Sequence, residues 1–141
     1  MINAVAFYKI GRWFFLKKTP IVPTFFELII FLIYNSKVPM SAMIGKNTFF
    51  AYGGIGCVLH DRTVIGSDCS IRANVTIGGK SKHYNVPVIG NNVYIATGAK
   101  ILGPITIGSN VTIGANAVVI NDVADNAIMA GVPAKIIKYN E

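Results

Sequence analysis

The sequence is poor in charge, cysteine and histidine. Charged residues make up 13% of its 141 residues and hydrophobic residues 52%, so we expect apolar surface to be buried between subunits. The two cysteines, Cys57 and Cys69, form no C-x-x-C pair, which excludes a zinc knuckle and a disulfide framework. Two free thiols fit a reducing, cytoplasmic location.

The sequence also lacks the pattern of a signal peptide, a membrane-spanning segment or a nucleic-acid-binding surface. Residues 1–18 do not combine a basic start, an apolar run and a cleavage site in that order. The apolar stretch at 23–34 contains Glu27 and, at about a dozen residues, is too short to cross a bilayer. The formal charge of +7 comes from scattered lysines and arginines. An anionic small ligand or membrane surface accounts for it, and we expect no nucleic acid partner.

A six-residue period dominates the sequence between Val64 and Val123. Aliphatic residues recur there at multiples of six positions: Ile65, Ile71, Ile77, Ile89, Ile95, Ile101, Ile107, Ile113 and Val119. This period fits neither an α-helix nor a simple alternating strand. A sandwich of short strands would place its turns every 8 to 12 residues, without one phase. The period therefore predicts an all-β solenoid with triangular coils of three short strands, and with the aliphatic residues stacked inside.

The six-residue pattern is irregular in two places, and each lies beside a histidine. The interval from Phe50 to Leu59 is nine positions instead of six, and it contains the glycine-rich segment "AYGGIGC". We interpret this interval as a bulge, and His60 follows it directly after Leu59. Residues 78–88 keep the phase but are polar, so we expect a loop that leaves the solenoid and carries His83.

The N-terminal residues, 1–36, are predicted to form a helical hairpin, and residues 37–141 the solenoid with its C-terminal tail. The first helix is expected over 2–17, and the second over 25–35, where Thr24 and Glu27 have the spacing of a capping box. The apolar side of the first helix is expected to hold Val5, Ile10, Trp13, Phe14 and Leu16. Two compatible roles remain open for the hairpin: a cap over the solenoid end, or attachment to a membrane surface.

Over about residues 38–138 the sequence resembles the hexapeptide-repeat acyltransferases. The segments that carry the resemblance are "VPVIGNNVYIATGAKILGPITIG", "IGANAVVINDV" and "AGVPAKII". The similarity is to the serine acetyltransferase branch, in the short form found among sugar and polysaccharide O-acetyltransferases. It implies a left-handed parallel β-helix and a homotrimer that binds acetyl-CoA in grooves between subunits. The residues that match the family's CoA contacts are Thr97, Ala115, Ile120, Asn121, Lys135 and Lys138.

Acyl transfer needs a general base, for which histidine is suited near neutral pH. The resemblance places the histidine and aspartate of the serine acetyltransferase dyad at Tyr52 and Lys37, so neither catalytic side chain is present there. We therefore expect His83, or His60 with Asp61 as its partner, to act as the base. The expected acceptor-binding residues are Tyr52, Asn74 and Lys82.

The resulting expectation is an acetyl-CoA-dependent O-acetyltransferase that acts on a hydroxyl of a sugar or polysaccharide precursor. The alternatives are a serine O-acetyltransferase, an amino-sugar N-acetyltransferase and a non-catalytic trimeric scaffold associated with the membrane. We expect no metal, because two histidines cannot form the three-histidine zinc site of the carbonic anhydrases that share this fold. The expected location is the cytoplasm, including the inner face of the membrane through residues 1–36.

Overall fold

The structure is a computed structural model that describes residues 2–141. Two α-helices, Ala4–Leu16 (α1) and Val22–Tyr34 (α2), precede the strands. The first six strands are Met43–Ile44 (β1), Phe49–Phe50 (β2), Val58–Leu59 (β3), Val64–Ile65 (β4), Ser70–Ile71 (β5) and Thr76–Gly78 (β6). The next six are Val88–Ile89 (β7), Tyr94–Ile95 (β8), Lys100–Leu102 (β9), Thr106–Ile107 (β10), Thr112–Ile113 (β11) and Val118–Val119 (β12). Ala127–Ala130 (β13) and Lys135–Tyr139 (β14) end the chain.

The strands stack into three parallel sheets that form the faces of a triangular prism. Strands β1, β4, β7 and β10 form the first sheet, and β3, β6, β9 and β12 form the third. The second sheet contains β2, β5, β8, β11 and β13, and the antiparallel β14 extends it. This is the left-handed β-helix implied by the family resemblance, with about four coils. The predicted fold class is confirmed.

The six-residue period places aliphatic side chains in register along the inside of each face. Ile71, Ile95 and Ile113 are partners on neighbouring coils and are fully buried. Cys69 is also buried and fills the core as a small apolar residue. The free energy of folding therefore comes largely from stacked apolar side chains, which are removed from water one coil at a time.

At two of the three corners of the prism, every coil turns through a left-handed backbone conformation. The first corner lies between the first and second sheets, and its positive φ values belong to Asn47, Asp68, Asn92, Asn110 and Asn126. The second corner lies between the second and third sheets, and its positive φ values belong to Tyr52, Gly53, Gly54, Gly56, Asn74, Gly98 and Asn116. Asn, Asp and Gly adopt this conformation at lower cost than other residues, which explains the polar residues between the aliphatic ones.

The helical hairpin covers the N-terminal end of the β-helix. The Tyr8 hydroxyl donates a hydrogen bond to the carbonyl oxygen of Ala42 at 2.5 Å, and Arg12 Nη1 donates to that of Met40 at 2.7 Å. The α1 residues that face the coil are Ala4, Val5, Tyr8 and Gly11. The predicted apolar side was therefore wrong at Ile10, Trp13 and Leu16, which are exposed. Val5 is buried as predicted, and Phe14 is half-buried against Phe26.

The second helix begins earlier than its sequence predicts. It starts at Val22, with Ile21 as its N-cap and no side-chain capping bond, so the predicted capping box of Thr24 and Glu27 is wrong. Pro23 explains the difference, because a proline fits the first helical turn, where its missing N–H would have no intrahelical partner. Glu27 points instead towards the β-helix, where its carboxylate accepts a hydrogen bond from the backbone of Met40.

Candidate active site

The third corner, between the third and first sheets, collects four chain segments that follow neighbouring strands. His60 follows β3, the loop at 79–87 follows β6, Gly103 follows β9 and Ile120 follows β12. Backbone hydrogen bonds link successive coils here, from His60 N–H to the oxygen of Ile77 at 2.9 Å and from Gly103 N–H to the oxygen of Gly78 at 3.0 Å. The irregular loop and one histidine thus lie at the same edge of one sheet.

A groove runs along this corner. Its larger part is a cavity of about 620 Å³, whose walls include Gly79, Lys80, Gly103, Pro104, Ile120 and Asn121. A cavity of about 380 Å³ adjoins it, with walls that include Arg62, Tyr84, Val86, Pro104 and Ile105. The larger cavity has the size of a small-molecule site. Because Ile120 and Asn121 line it, it contains two of the residues predicted to contact CoA.

The loop at 79–87 leaves the solenoid as predicted and carries His83 at an exposed position. The His83 N–H donates to the carbonyl oxygen of Lys80 at 3.0 Å, and Lys82 has a φ of 69°, so a tight turn presents the histidine. Val86 is buried and anchors the loop to the coil. Lys82, predicted to bind the acceptor, is exposed in the same turn.

His60 is held by a backbone hydrogen bond. Its Nδ1 accepts the N–H of Arg62 at 3.1 Å, so in the neutral ring the proton lies on Nε2. The ring faces Gly79, where an added Cβ would lie 3.7 Å from Nε2. His60 therefore offers a hydrogen-bond donor at Nε2, next to Gly79 in the wall of the larger cavity, while its other nitrogen is occupied.

The structure does not bring Asp61 to His60 as a partner. The Asp61 carboxylate lies 3.6 Å from Lys37 Nζ, and the two side chains are 60% and 58% exposed. A pair this exposed contributes about 0–1 kcal/mol, so it adds little to stability. It does keep the Asp61 carboxylate beside Lys37, the position where the resemblance places the missing aspartate of the dyad.

Four of the other predicted site residues lie at the second corner, across the third sheet from the groove. Thr97 and Ala115 are stacked one coil apart, and the carbonyl oxygen of Thr97 accepts the N–H of Asn116 at 3.0 Å. Tyr52 is 68% exposed in the glycine bulge, and Asn74 lies on the next coil. The predicted residues thus occupy both edges of one face rather than one cavity.

The two C-terminal lysines predicted to contact CoA lie outside both parts of the groove. Lys135 and Lys138 are exposed on β14, the strand that pairs antiparallel with β13 at the end of the second sheet. Within a single chain, the predicted CoA contacts are therefore spread over the second corner, the third corner and the C-terminal strand.

Sequence reasoning missed Arg62 and Lys80, which line the groove. The signal for Arg62 was its position two residues after His60, between two hexads, where the side chain must point outward.

Among residues 2–141, no group of three His, Cys, Asp or Glu side chains could hold a metal ion. In the same part of the chain, neither helix has the length and apolarity needed to cross a bilayer.

Known proteins resemble the chain in both sequence and fold. The family model described as bacterial transferase hexapeptide (six repeats) matches residues 87–121. Serine acetyltransferase of Synechococcus elongatus is 32% identical over 137 residues, which cover 96% of this chain and 56% of that protein. Serine acetyltransferase of Staphylococcus xylosus is 35% identical over 141 residues, which cover 99% of this chain and 65% of that protein.

Solved structures of serine acetyltransferases are similar to this chain in fold and sequence. A serine acetyltransferase in complex with CoA has a TM-score of 0.87 and 34% identity, covering 95% of this chain and 55% of that one. The enzyme from Vibrio cholerae has a TM-score of 0.91 and 31% identity, covering 98% of this chain and 54% of that one. The chain thus spans 54% to 65% of the length of these relatives.

Proposed function

Because this chain belongs to the hexapeptide-repeat acyltransferase family, on its serine acetyltransferase branch, we propose that it transfers acetyl groups from acetyl-CoA to a hydroxyl of a small acceptor. The observation that carries this proposal is the groove at the third corner. It places a histidine-bearing loop beside a cavity of about 620 Å³ lined by Ile120 and Asn121. Lys80 supplies a positive charge for an anionic ligand there.

His83 is the proposed general base. Its backbone is fixed by the turn at Lys80, and among the described residues no protein group hydrogen-bonds its ring, so a nitrogen lone pair is free for the acceptor. His83 would take the proton as the acceptor oxygen attacks the thioester carbonyl. When the tetrahedral intermediate collapses, the C–S bond breaks and the proton passes from His83 to the CoA sulfur.

A homotrimer explains why the predicted CoA contacts lie at two corners. Thr97 and Ala115 of one subunit and Ile120 and Asn121 of the next can line a single groove between neighbouring prisms. Such a site would be incomplete in one chain, which fits the separation of these residues across the third sheet. We place the pantetheine arm in this groove, with Lys135 and Lys138 available for the phosphates.

The names of the relatives support L-serine as the acceptor, rather than the sugar hydroxyl expected from the sequence. One observation favours a sugar hydroxyl as the second candidate. The family resemblance places the two dyad positions at Tyr52 and Lys37, and Lys37 is paired with Asp61. A phenol hydroxyl does not accept a proton near neutral pH as an imidazole does, so Tyr52 is a poor substitute for the missing histidine.

Release of CoA thiol from acetyl-CoA tests the proposal. The intact protein is assayed with L-serine and, separately, with a panel of sugars, and His83→Ala is expected to lower kcat by roughly 10²–10⁴-fold while CoA binding persists. Lys46→Ala, at an exposed residue of the first corner, serves as the control. If His83→Ala leaves acceptor-dependent thiol release intact, the role of His83 is contradicted. If the wild-type protein releases no thiol with any acceptor, the proposed function is contradicted.

The hairpin supports a second part of the proposal, a peripheral contact with an anionic membrane at the cytoplasmic face. Exposed apolar residues follow one another on and beside α2: Ile21, Phe25, Leu28, Phe31, Leu32 and Ile33. Lys17 and Lys18 lie at the end of α1, next to exposed Trp13 and Leu16, a combination that suits lipid headgroups.

Vesicle flotation tests this contact. The protein is expected to float with vesicles of anionic lipid and less with neutral ones, and Leu28→Glu with Leu32→Glu is expected to abolish flotation. Ile137→Glu, on exposed β14, is the matched control. Equal flotation of both variants would exclude the hairpin as the contact.

A further inference from the structure

Arg62 contacts the segments that carry both histidines. Its backbone N–H donates to His60 Nδ1 at 3.1 Å. Its guanidinium carbon lies 4.0 Å from the centroid of the Tyr84 ring, and its Nη2 donates to the Tyr84 carbonyl oxygen at 2.5 Å. Tyr84 is the next residue after His83, so one arginine links the first coil to the loop that presents the proposed base.

The loop at 79–87 needs such a contact because it has few others. The loop contains no strand. Val86, which packs against the coil, lies at its C-terminal end. The tight turn from Lys80 to His83 fixes local backbone geometry but does not tie the loop to the coil. The stacked guanidinium and its hydrogen bond provide that tie, through a planar group that lysine cannot replace.

We propose that Arg62 is a positioning residue that gives the two histidines different roles. Its guanidinium holds the loop so that His83 lies beside the groove. Its backbone N–H occupies His60 Nδ1, so that His60 offers an Nε2–H donor and transfers no proton. This inference rests on the proposed acyl transfer.

The division of roles follows the charges in the reaction. The acceptor oxygen forms a bond to the thioester carbon while its proton passes to His83, and negative charge develops on the carbonyl oxygen. The His60 N–H donor, fixed next to Gly79 in the groove wall, stabilises this charge. The C–S bond then breaks, and the CoA sulfur receives the proton from His83.

Kinetics and limited proteolysis of the full-length protein test the proposal together. Arg62→Ala is expected to lower kcat by about 10²-fold, because a displaced catalytic group loses near-attack geometry, with little change in the KM for acetyl-CoA. It is also expected to speed trypsin cleavage after Lys80 and Lys82. Arg62→Lys should behave like Arg62→Ala, whereas Tyr84→Phe, which keeps the ring face and the backbone carbonyl, should keep cleavage slow. Lys46→Ala is the control for both readouts.

The outcomes separate this proposal from the function itself. Unchanged kcat and unchanged loop cleavage in an active Arg62→Ala protein would overturn the positioning role. If Arg62→Ala speeds cleavage of the loop but the wild-type protein transfers acetyl groups to no acceptor, Arg62 holds the loop and the proposed function is rejected. Nitrogen NMR of the His60 ring is expected to show the Nε2–H tautomer in both wild type and Arg62→Ala, which keeps the backbone N–H. A proton on Nδ1 would overturn the donor role.

Discussion

The carboxylate of Glu27 accepts a hydrogen bond from the backbone N–H of Met40 at 2.9 Å and thereby joins α2 to the first coil. Glu27 is the only acidic residue among the first 60 positions. Because this single negative charge points inward, the outer surface of the hairpin carries apolar and basic side chains without an acidic one. One hydrogen bond thus contributes both to the docking of the cap and to the character of the surface proposed to meet a membrane.

Replacement of Glu27 by Ala is expected to destabilise the protein by about 1–3 kcal/mol, because the N–H of the buried residue Met40 loses its acceptor. Glu27→Gln keeps an acceptor oxygen and should lose less. Urea unfolding monitored by circular dichroism measures both, with Glu141→Gln as a control at the exposed C-terminus. Equal losses for the Ala and Gln variants would mean that the hydrogen bond is not the source of stability.

Replacement of Gly98 by Ala is expected to destabilise the protein. Its φ is 78°, and a Cβ there would lie 2.0 Å from Asn116 Oδ1 on the next coil. Gly98→Ala should therefore cost at least about 1–2 kcal/mol from the left-handed conformation, with further loss from the clash. Gly78, where the nearest atom to an added Cβ is the flexible Leu102 Cδ2 at 3.3 Å, is the matched control. Thermal melting of the two Ala variants should give a lower midpoint for Gly98→Ala alone.

The β-helix was predictable from sequence because its period is a direct consequence of its geometry. Each coil contributes one inward residue per face, so Ile71, Ile95 and Ile113 recur at multiples of the six-residue period and become partners on neighbouring coils. The hairpin was less predictable, since helical periodicity shows that a helix is amphipathic but not which apolar side is covered. The side that docks was decided by the shape of the first coil, where Gly11 allows close approach to Met40.

The site was predictable only in its irregularities. Both histidines were proposed as site residues because they flank irregularities in the period. The structure places the loop with His83 and the corner with His60 at the same edge of one sheet. The contacts of Arg62 with Tyr84 were not predictable, because they join a corner to a loop 22 residues away that has no fixed register. A sequence pattern reports the regular scaffold, whereas such contacts depend on how an irregular loop folds back.

Added bulk in the groove wall is expected to weaken CoA binding. Gly79 lines the larger cavity, and Gly79→Leu would add a bulky side chain to that wall, packed against Val86 and His60. The Kd for CoA is expected to rise by about tenfold, equivalent to roughly 1.4 kcal/mol. Gly78→Ala is the control, and calorimetric titration with CoA measures both variants. Unchanged affinity in a folded Gly79→Leu protein would place the CoA site elsewhere.

The buried thiols are expected to make the protein less stable at alkaline pH. Burial raises the pKa of the Cys57 thiol above its ordinary value of 9.0, and it does the same for Cys69. Below that value both thiols are protonated in the folded and unfolded chains and contribute nothing to pH dependence. Above it the unfolded chain loses thiol protons that the folded chain retains, so the free energy of unfolding falls as pH rises.

Urea unfolding at about pH 8 and about pH 10 measures this effect. Burial also raises the pKa of the Tyr8 hydroxyl, which contributes in the same direction, so the thiols are isolated by comparison with the double variant Cys57→Ala and Cys69→Ala. The double variant is expected to lose less stability between the two pH values than the wild type does. An equal loss in both proteins would mean that the thiols ionise alike in the folded and unfolded chains, and that the packing around them admits a charge.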